Sequence, residues 1–112
     1  FENGWKPHKA SIKEIQQKFN KSILFTEYGY RSVDFTGKEP WKSDRISGGI
    51  HLQAQKNAQQ AIYNQFWKEN WFAGGFIWKW FREHDKVGGK GNNRFTPQNK
   101  PTEKLLRLLY KN

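Results

Sequence analysis

The alternation of two sequence periodicities constrains the fold of this chain more than any other feature. Two short runs, residues 23–28 and 73–80, predict β-strands because aromatic and β-branched side chains are frequent in them and glycines punctuate them. Apolar side chains at helical spacing predict helices at about residues 9–19, 50–68 and 101–110. The order α-β-α-β-α indicates an α/β fold with parallel strands joined by helical crossovers.

Two strands are too few for an independent parallel sheet, because both of its edges would stay unprotected. The run at residues 23–28 also has the composition of a strand that is buried on both faces. The chain has 112 residues, whereas a complete (β/α)8 barrel has roughly 250. We therefore expect a fragment of a larger α/β domain.

Local signals refine the helices. Gly4 and Pro7 predict a loop over residues 1–7, and Ser11 with Glu14 forms a candidate capping box for the first helix. The second helix has one apolar face, made of Ala54, Ala58, Ala61, Ile62 and Phe66. The last helix begins at Pro101, and its predicted inner stripe is Leu105, Leu108 and Leu109.

Composition argues against several classes of function. The net charge is +10, but no two Lys or Arg residues are adjacent, so the basic surface lacks the clustering of a nucleic-acid site. Apolar runs fall far below the ~20 residues that cross a membrane. The chain has no cysteine, and His84 with Asp85 lacks a third metal ligand, so we expect no metal and no cofactor. Localisation stays open, since any signal sequence would lie upstream of Phe1.

Glu27 is the strongest catalytic candidate. It stands at the carboxyl end of an apolar strand, where catalytic groups gather in barrels, and where a carboxylate is costly unless it is paired. The alternative is a structural ion pair with Arg31. On the residues alone, both interpretations carry equal weight.

Trp78 and Trp80 flank Lys79, and strand alternation places both indoles on one face. Indole rings offer flat apolar surfaces on which sugar rings stack, although such rings also fill barrel interiors or pack on helices. Trp41 belongs to the long loop of residues 31–49 and is a candidate contact for a distal sugar. His84 and Asp85 are candidates for contact with substrate or with one another.

Several segments, taken in order, resemble a known family. The strand ILFTEYGYRS, the helix start LQAQ, the run NQFWKENWFAGGFIWKW and the tail RFTPQNKP are similar to the C-terminal third of glycoside hydrolase family 113. Members of that family include β-mannanases on a (β/α)8 TIM barrel. The resemblance covers nearly the whole chain and implies that residues 23–28 and 73–80 are the seventh and eighth barrel strands.

The resemblance implies a retaining glycosidase that cleaves β-1,4-mannan or a related β-linked polysaccharide. Glu27 would be the nucleophile, and Trp78 would be a platform for a sugar ring. Further candidates are Tyr30, Trp80 and Trp41 as substrate contacts, and Tyr28 and Arg31 as supporting residues, with Arg31 orienting Glu27 or lowering its pKa.

The clan's acid/base glutamate comes from the fourth strand, which this sequence lacks. The chain alone would then be inactive, and its partners would be the polysaccharide and the upstream part of the same barrel. Two alternatives stay open: a non-catalytic carbohydrate-binding piece and a small basic nucleic-acid-binding domain.

Overall fold

The computed structural model describes residues 1–38 and 49–111. Within these ranges the elements are α1 (Glu2–Phe19), β1 (Ile23–Tyr28), α2 (Leu52–Phe66), β2 (Phe72–Ile77), a short 3₁₀ turn (His84–Lys86) and α3 (Pro101–Tyr110). This is an α/β fold with the predicted α-β-α-β-α order. None of the helices in these ranges is long and apolar enough to span a bilayer.

The two strands are neighbours in a parallel sheet, and α2 carries the chain from one strand to the next. Phe25 pairs with Gly75, and Tyr28 pairs with Ile77. Because parallel strands point the same way, their carboxyl ends and the loops after them lie at one edge of the sheet. The candidate site is built at that edge.

Phe66, the last residue of α2, is the centre of an aromatic core between the sheet and the helices. It is fully buried, and its ring centroid lies 4.9 Å from that of Phe25, 5.4 Å from that of Phe72 and 5.2 Å from that of Trp5. Aromatic pairs contribute about 0.5–1.5 kcal/mol each beyond the area they bury. One side chain therefore joins α1, α2 and both strands.

The apolar face predicted for α2 is confirmed, because all five of its residues are buried. The helix begins after His51, whose Nδ1 accepts a hydrogen bond of 2.9 Å from the backbone N–H of Ala54. That bond satisfies one of the donors that a first helical turn leaves without an intrahelical partner.

The inner stripe of α3 differs from the prediction. Leu105 is buried as expected, but Leu106 is buried with it, and Leu108 is exposed. Thr102 determines this orientation, since its buried hydroxyl donates a hydrogen bond of 2.9 Å to the side chain of Gln55 on α2. Residues three, four and seven positions after Thr102 lie on the same helical face as Thr102. Leu108 lies six positions after it and is therefore not on that face.

The loop predicted for residues 1–7 is wrong, because α1 begins at Glu2 and contains Pro7. Ser11 does not cap the helix, and its hydroxyl instead donates to the carbonyl of Pro7 one turn back, at 3.2 Å. The packing of Trp5 on Phe66 holds this first turn against the core. A tertiary contact therefore outweighs the local proline signal.

One face of the sheet is open in the part of the chain that the structure describes. The helices cover Phe25 and Tyr28, whereas Leu24 and Phe76 are 49% and 64% exposed. No described element covers the second face, so burial of residues 23–28 on both faces remains a prediction for a larger sheet with further strands. A groove of about 540 Å³ follows β2 and includes Leu24, Phe76 and Trp80 in its lining.

Gly75 is required where β2 passes under the core. A Cβ at this position would lie 2.9 Å from ring atoms of Tyr28 and 3.2 Å from the Cβ of Phe25. We expect Gly75→Ala to lower the free energy of unfolding of the full chain by about 1–3 kcal/mol, because the Tyr28 ring must shift. Urea unfolding measures this change.

Gly4→Ala is the matched control. A Cβ there meets nothing within 4 Å, and the position is helical, so we expect unchanged or slightly higher stability. Equal effects of the two substitutions would contradict the close approach at Gly75.

Candidate active site

The carboxyl ends of the two strands bring Glu27 and Trp78 to the same edge of the sheet. Tyr28 pairs with Ile77, and the backbone N–H of Trp78 donates to the carbonyl of Tyr28 at 2.7 Å. Gly29 allows this approach, because a Cβ at that position would overlap the carbonyl oxygen of Trp78. Glu27 therefore lies one residue before, and Trp78 one residue after, the paired residues Tyr28 and Ile77.

The carboxylate of Glu27 is accessible. Its side chain is exposed, and within residues 1–38 and 49–111 it makes no hydrogen bond or ion pair. Arg31, the predicted ion-pair partner, is buried, and its Nε donates to the carbonyl of Asn93 at 3.0 Å. The described contacts therefore attach Arg31 to the loop after β2 and leave the Glu27 carboxylate open to a ligand.

Tyr28 and Tyr30 lie in the core, at 8% and 7% exposure. The hydroxyl of Tyr28 forms a hydrogen bond with that of Tyr110 on α3, and the Tyr28 ring packs edge-on against Trp67. Burial raises the pKa of both Tyr28 and Tyr30, so both hydroxyls stay protonated across the neutral range. Both rings are therefore buried in the described residues, and the roles of Tyr30 as a sugar contact and of Tyr28 as a supporting residue remain predictions.

A register shift explains why Tyr28 is buried. The strand pairing is irregular between Phe25 and Tyr28, so simple alternation fails there. Tyr28 joins Phe25 on the helix-facing side, and Glu27 stays exposed. Alternation along the sequence cannot reveal such a shift, because the extra residue is defined only by pairing with the neighbouring strand.

Trp78 and Trp80 are exposed beyond the end of β2, at 45% and 49%. The Nζ of Lys79 lies 5.4 Å from the ring centroid of Trp78 and 4.6 Å from that of Phe81. The Trp80 ring stacks on His84, with centroids 6.1 Å apart and planes at 28°. Both indoles are thus accessible at the strand end that carries Glu27. Trp41 lies outside the described residues.

The ring nitrogens of His84 contact residues other than Asp85. Its Nδ1 lies 3.2 Å from the Nε2 of Gln98, and its Nε2 lies 3.2 Å from the Glu103 carboxylate. Burial raises the pKa of Glu103, but hydrogen bonds from Asn99 and Arg107 outweigh it, and the net shift is downward. No group of three His, Cys, Asp or Glu residues suited to a metal occurs in the described ranges.

A layer of buried polar side chains joins the loops behind the site, and the sequence patterns did not predict it. Gln55 donates through Nε2 to the carbonyls of Tyr30 (2.9 Å), Phe95 (3.0 Å) and Thr96 (3.3 Å), and so connects the loop after β1 with the loop after β2. Gln98 makes a similar set of bonds to the segment after β2. One sequence signal could have revealed the burial of Gln55, namely its position beside Ala54 and Ala58 on the buried face of α2.

Comparison with known proteins identifies the family. A family model described as Glycoside Hydrolase Family 113 matches residues 2–100 of the chain. This chain belongs to glycoside hydrolase family 113. No curated protein sequence matches the family 113 chain.

Solved structures agree with the family 113 assignment of the fold. A GH113 β-1,4-mannanase superposes with a TM-score of 0.85 at 23% identity, and a complex structure of a GH113 β-1,4-mannanase does so with 0.86 at 22%. The β-mannanase AaManA from Alicyclobacillus acidocaldarius, in complex with ManMIm, gives 0.82 at 22%. Each match covers 98% of this chain and 36% of the other, so the α/β fold matches part of a family 113 barrel.

Lys100 lies buried in the polar layer of this family 113 chain. Its Nζ donates to the Asn92 side chain and to the Arg94 carbonyl, both at 2.9 Å, and burial lowers its pKa from 10.5 to about 8. Below pH 8 the lysine is charged in both the folded and the unfolded state, and the desolvation cost is fully present. Between pH 8 and 10.5 the unfolded state holds more protons, so this group makes stability rise with pH.

We expect the stability of the full chain, relative to a Lys100→Met variant, to increase by at most about 3 kcal/mol as the pH rises across that window. Urea unfolding at neutral pH and near pH 10 measures the difference, and subtraction removes the titration that both proteins share. Lys104→Met, at an exposed position of α3, is the control and should show no such trend. Parallel curves for the protein and Lys100→Met would contradict a lowered lysine pKa.

Proposed function

We propose that this chain forms the nucleophile-bearing end of a retaining glycoside hydrolase that cleaves β-1,4-mannan or a related β-linked polysaccharide. The observation that carries the proposal is that the exposed side chains of Glu27 and Trp78 lie at the carboxyl ends of two paired parallel strands. Catalytic groups of barrel enzymes gather at this end of the strands. Membership in family 113 supports a glycosidase as the class of enzyme.

In the proposed reaction the Glu27 carboxylate attacks the anomeric carbon. A C–O bond forms between the enzyme and the sugar as the glycosidic C–O bond breaks, and a second carboxylic acid protonates the leaving oxygen. That second group, now a carboxylate, removes a proton from water, and the water hydrolyses the glycosyl-enzyme. The two carboxyl groups of a retaining enzyme lie about 5–5.5 Å apart.

No second carboxyl group within residues 1–38 and 49–111 suits the acid/base role. The other acidic residues there lie on helices or in turns and loops, at Glu2, Glu14, Asp34, Glu69, Glu83, Asp85 and Glu103. The chain spans 36% of the length of the three mannanase structures. We infer that the acid/base group belongs to another part of the barrel, and that β1 and β2 are its seventh and eighth strands.

The exposed indoles suit a sugar ligand in this scheme. A pyranose ring presents C–H groups that pack on an aromatic face, and the backbone N–H of Trp78 donates to the carbonyl of Tyr28, the residue after the proposed nucleophile. Trp80 is equally exposed and is a second contact along the cleft. Trp41 remains a prediction for a more distant sugar.

A non-catalytic carbohydrate-binding role is the second candidate, because two exposed indoles would serve a lectin as well as an enzyme. The two functions differ in what they require of Glu27. A binding module needs the indoles and tolerates loss of the carboxylate, whereas a retaining glycosidase needs the carboxylate for bond formation.

Substitution of Glu27 separates these functions. In a complete barrel that carries residues 1–112, we expect Glu27→Gln to lower the rate of mannan hydrolysis by roughly 10⁴-fold while oligosaccharide binding persists, because the amide cannot act as the nucleophile. Release of reducing ends measures hydrolysis, and calorimetry with mannohexaose measures binding.

Glu14→Gln, on the exposed side of α1, is the matched control and should leave both quantities unchanged. Trp78→Ala should weaken binding by about tenfold in either function. Hydrolysis that survives Glu27→Gln would refute the nucleophile role of Glu27. A complete barrel with Glu27 intact that binds sugar without any turnover would favour the lectin.

The 112-residue chain on its own should not turn over mannan, because no second carboxyl group in its described residues, 1–38 and 49–111, suits the acid/base role. Purified residues 1–112 and the complete barrel are compared in the same reducing-end assay. Turnover by the isolated chain that disappears with Glu27→Gln would place a working acid within these 112 residues.

A further inference from the structure

The side chain of Gln98 is completely buried and uses its whole amide group. Its Oε1 accepts hydrogen bonds from the backbone N–H of Phe81 at 2.7 Å and from the hydroxyl of Thr96 at 2.9 Å. Its Nε2 donates to the carbonyl of Phe81 at 3.0 Å and lies 3.2 Å from the Nδ1 of His84. A primary amide offers two donors and two acceptor sites, so this arrangement satisfies all of them.

Two of these bonds hold both backbone groups of a single residue, Phe81. A neighbouring β-strand pairs with a residue in the same way, through one N–H and one carbonyl. Strand β2 ends at Ile77, and Gln98 provides this pairing four residues further on. We name residues 78–81, which include both exposed tryptophans, the indole segment.

Gln98 also reaches the indole segment through His84. The N–H and the carbonyl of Phe81 fix which end of the Gln98 amide is oxygen and which is nitrogen. The Nε2 of Gln98 therefore faces His84, and the Nδ1 of His84 must accept a hydrogen bond from it. The other ring nitrogen then directs its proton to Glu103, 3.2 Å away. The ring held in this way stacks on Trp80.

The anchor of this network is the start of α3. One oxygen of Glu103 accepts from the backbone N–H of Asn99 at 3.1 Å, and the other accepts from Arg107 at 3.2 Å. Gln98 itself lies just before the helix, and its carbonyl accepts from the N–H of Gly89 at 3.1 Å. The indole segment is therefore attached to the start of α3 through a chain of polar contacts.

We propose that Gln98 is a positioning residue, which holds the backbone of Phe81 and the ring of His84 so that the indole segment presents Trp78 and Trp80 to the sugar. This inference rests on the proposed function for the identity of the ligand. The geometric part, that Gln98 determines where the two indoles lie, holds independently of it. Gln98 does not contact the reacting atoms.

Gln98→Glu tests the proposal with almost no change of shape. The carboxylate keeps the acceptor for Phe81 N–H, loses both donors, and brings a negative oxygen against the Phe81 carbonyl. The matched control is Thr102→Val, which removes the buried 2.9 Å bond from Thr102 to Gln55 in the same polar layer without a contact to the indole segment.

Two measurements on the complete barrel test the effect of Gln98→Glu. In protein labelled with 5-fluorotryptophan, we expect Gln98→Glu to shift the fluorine resonances of Trp78 and Trp80 and to leave those of Trp5 and Trp71 in place. In a Glu27→Gln background, we expect the dissociation constant for mannohexaose to rise about tenfold. Thr102→Val should lower the unfolding midpoint and change neither quantity.

Unchanged resonances of Trp78 and Trp80 in folded Gln98→Glu protein would overturn the proposal, as would equal shifts in Thr102→Val. If Gln98→Glu does not fold, His84→Ala is the deciding variant. His84 is partly exposed and stacks on Trp80, so its replacement must shift the Trp80 resonance if the network positions Trp80. Failure of the proposed function appears separately, as hydrolysis that survives Glu27→Gln, and it leaves the fluorine result valid.

Discussion

The parallel pairing of β1 with β2 is the constraint on which the rest of this structure depends. Phe66 stabilises it from the helix side by contact with Phe25 on one strand and Phe72 on the other. Because the strands are parallel and in this register, their carboxyl ends meet at one edge, which carries both Glu27 and Trp78. The aromatic core thus determines the geometry of a site that it does not touch.

The loops beyond that edge are held by side-chain amides. Gln55 joins the loop after β1 to the loop after β2, and Gln98 holds the segment that follows β2. Both side chains are fully buried, where an unsatisfied amide would be costly, so a loop that moved away would leave several polar groups unpaired. Long loops that carry functional residues can therefore keep a defined position without regular secondary structure.

The open face of the sheet agrees with membership in family 113. Leu24 and Phe76 are large apolar side chains that the described elements leave exposed, and the matched mannanase structures are longer than this chain, which spans 36% of each. Further strands of a barrel would cover such a face and would enclose the space in front of Glu27. Enclosure lowers the local dielectric constant, which strengthens the electrostatic interactions that catalysis requires.

The order of elements, the apolar face of α2, the position of Glu27 at a strand end and the family could all be predicted from the sequence, because they depend on local periodicity and on short motifs. The helical position of Pro7 and the burial of Tyr28 could not, since the Trp5–Phe66 contact and a register shift arise between distant segments. The same holds for Gln98, whose hydrogen-bond partners lie up to 17 residues away along the chain. A sequence pattern assigns a polar residue to the protein surface. Only its tertiary contacts show that it is buried and hydrogen-bonded.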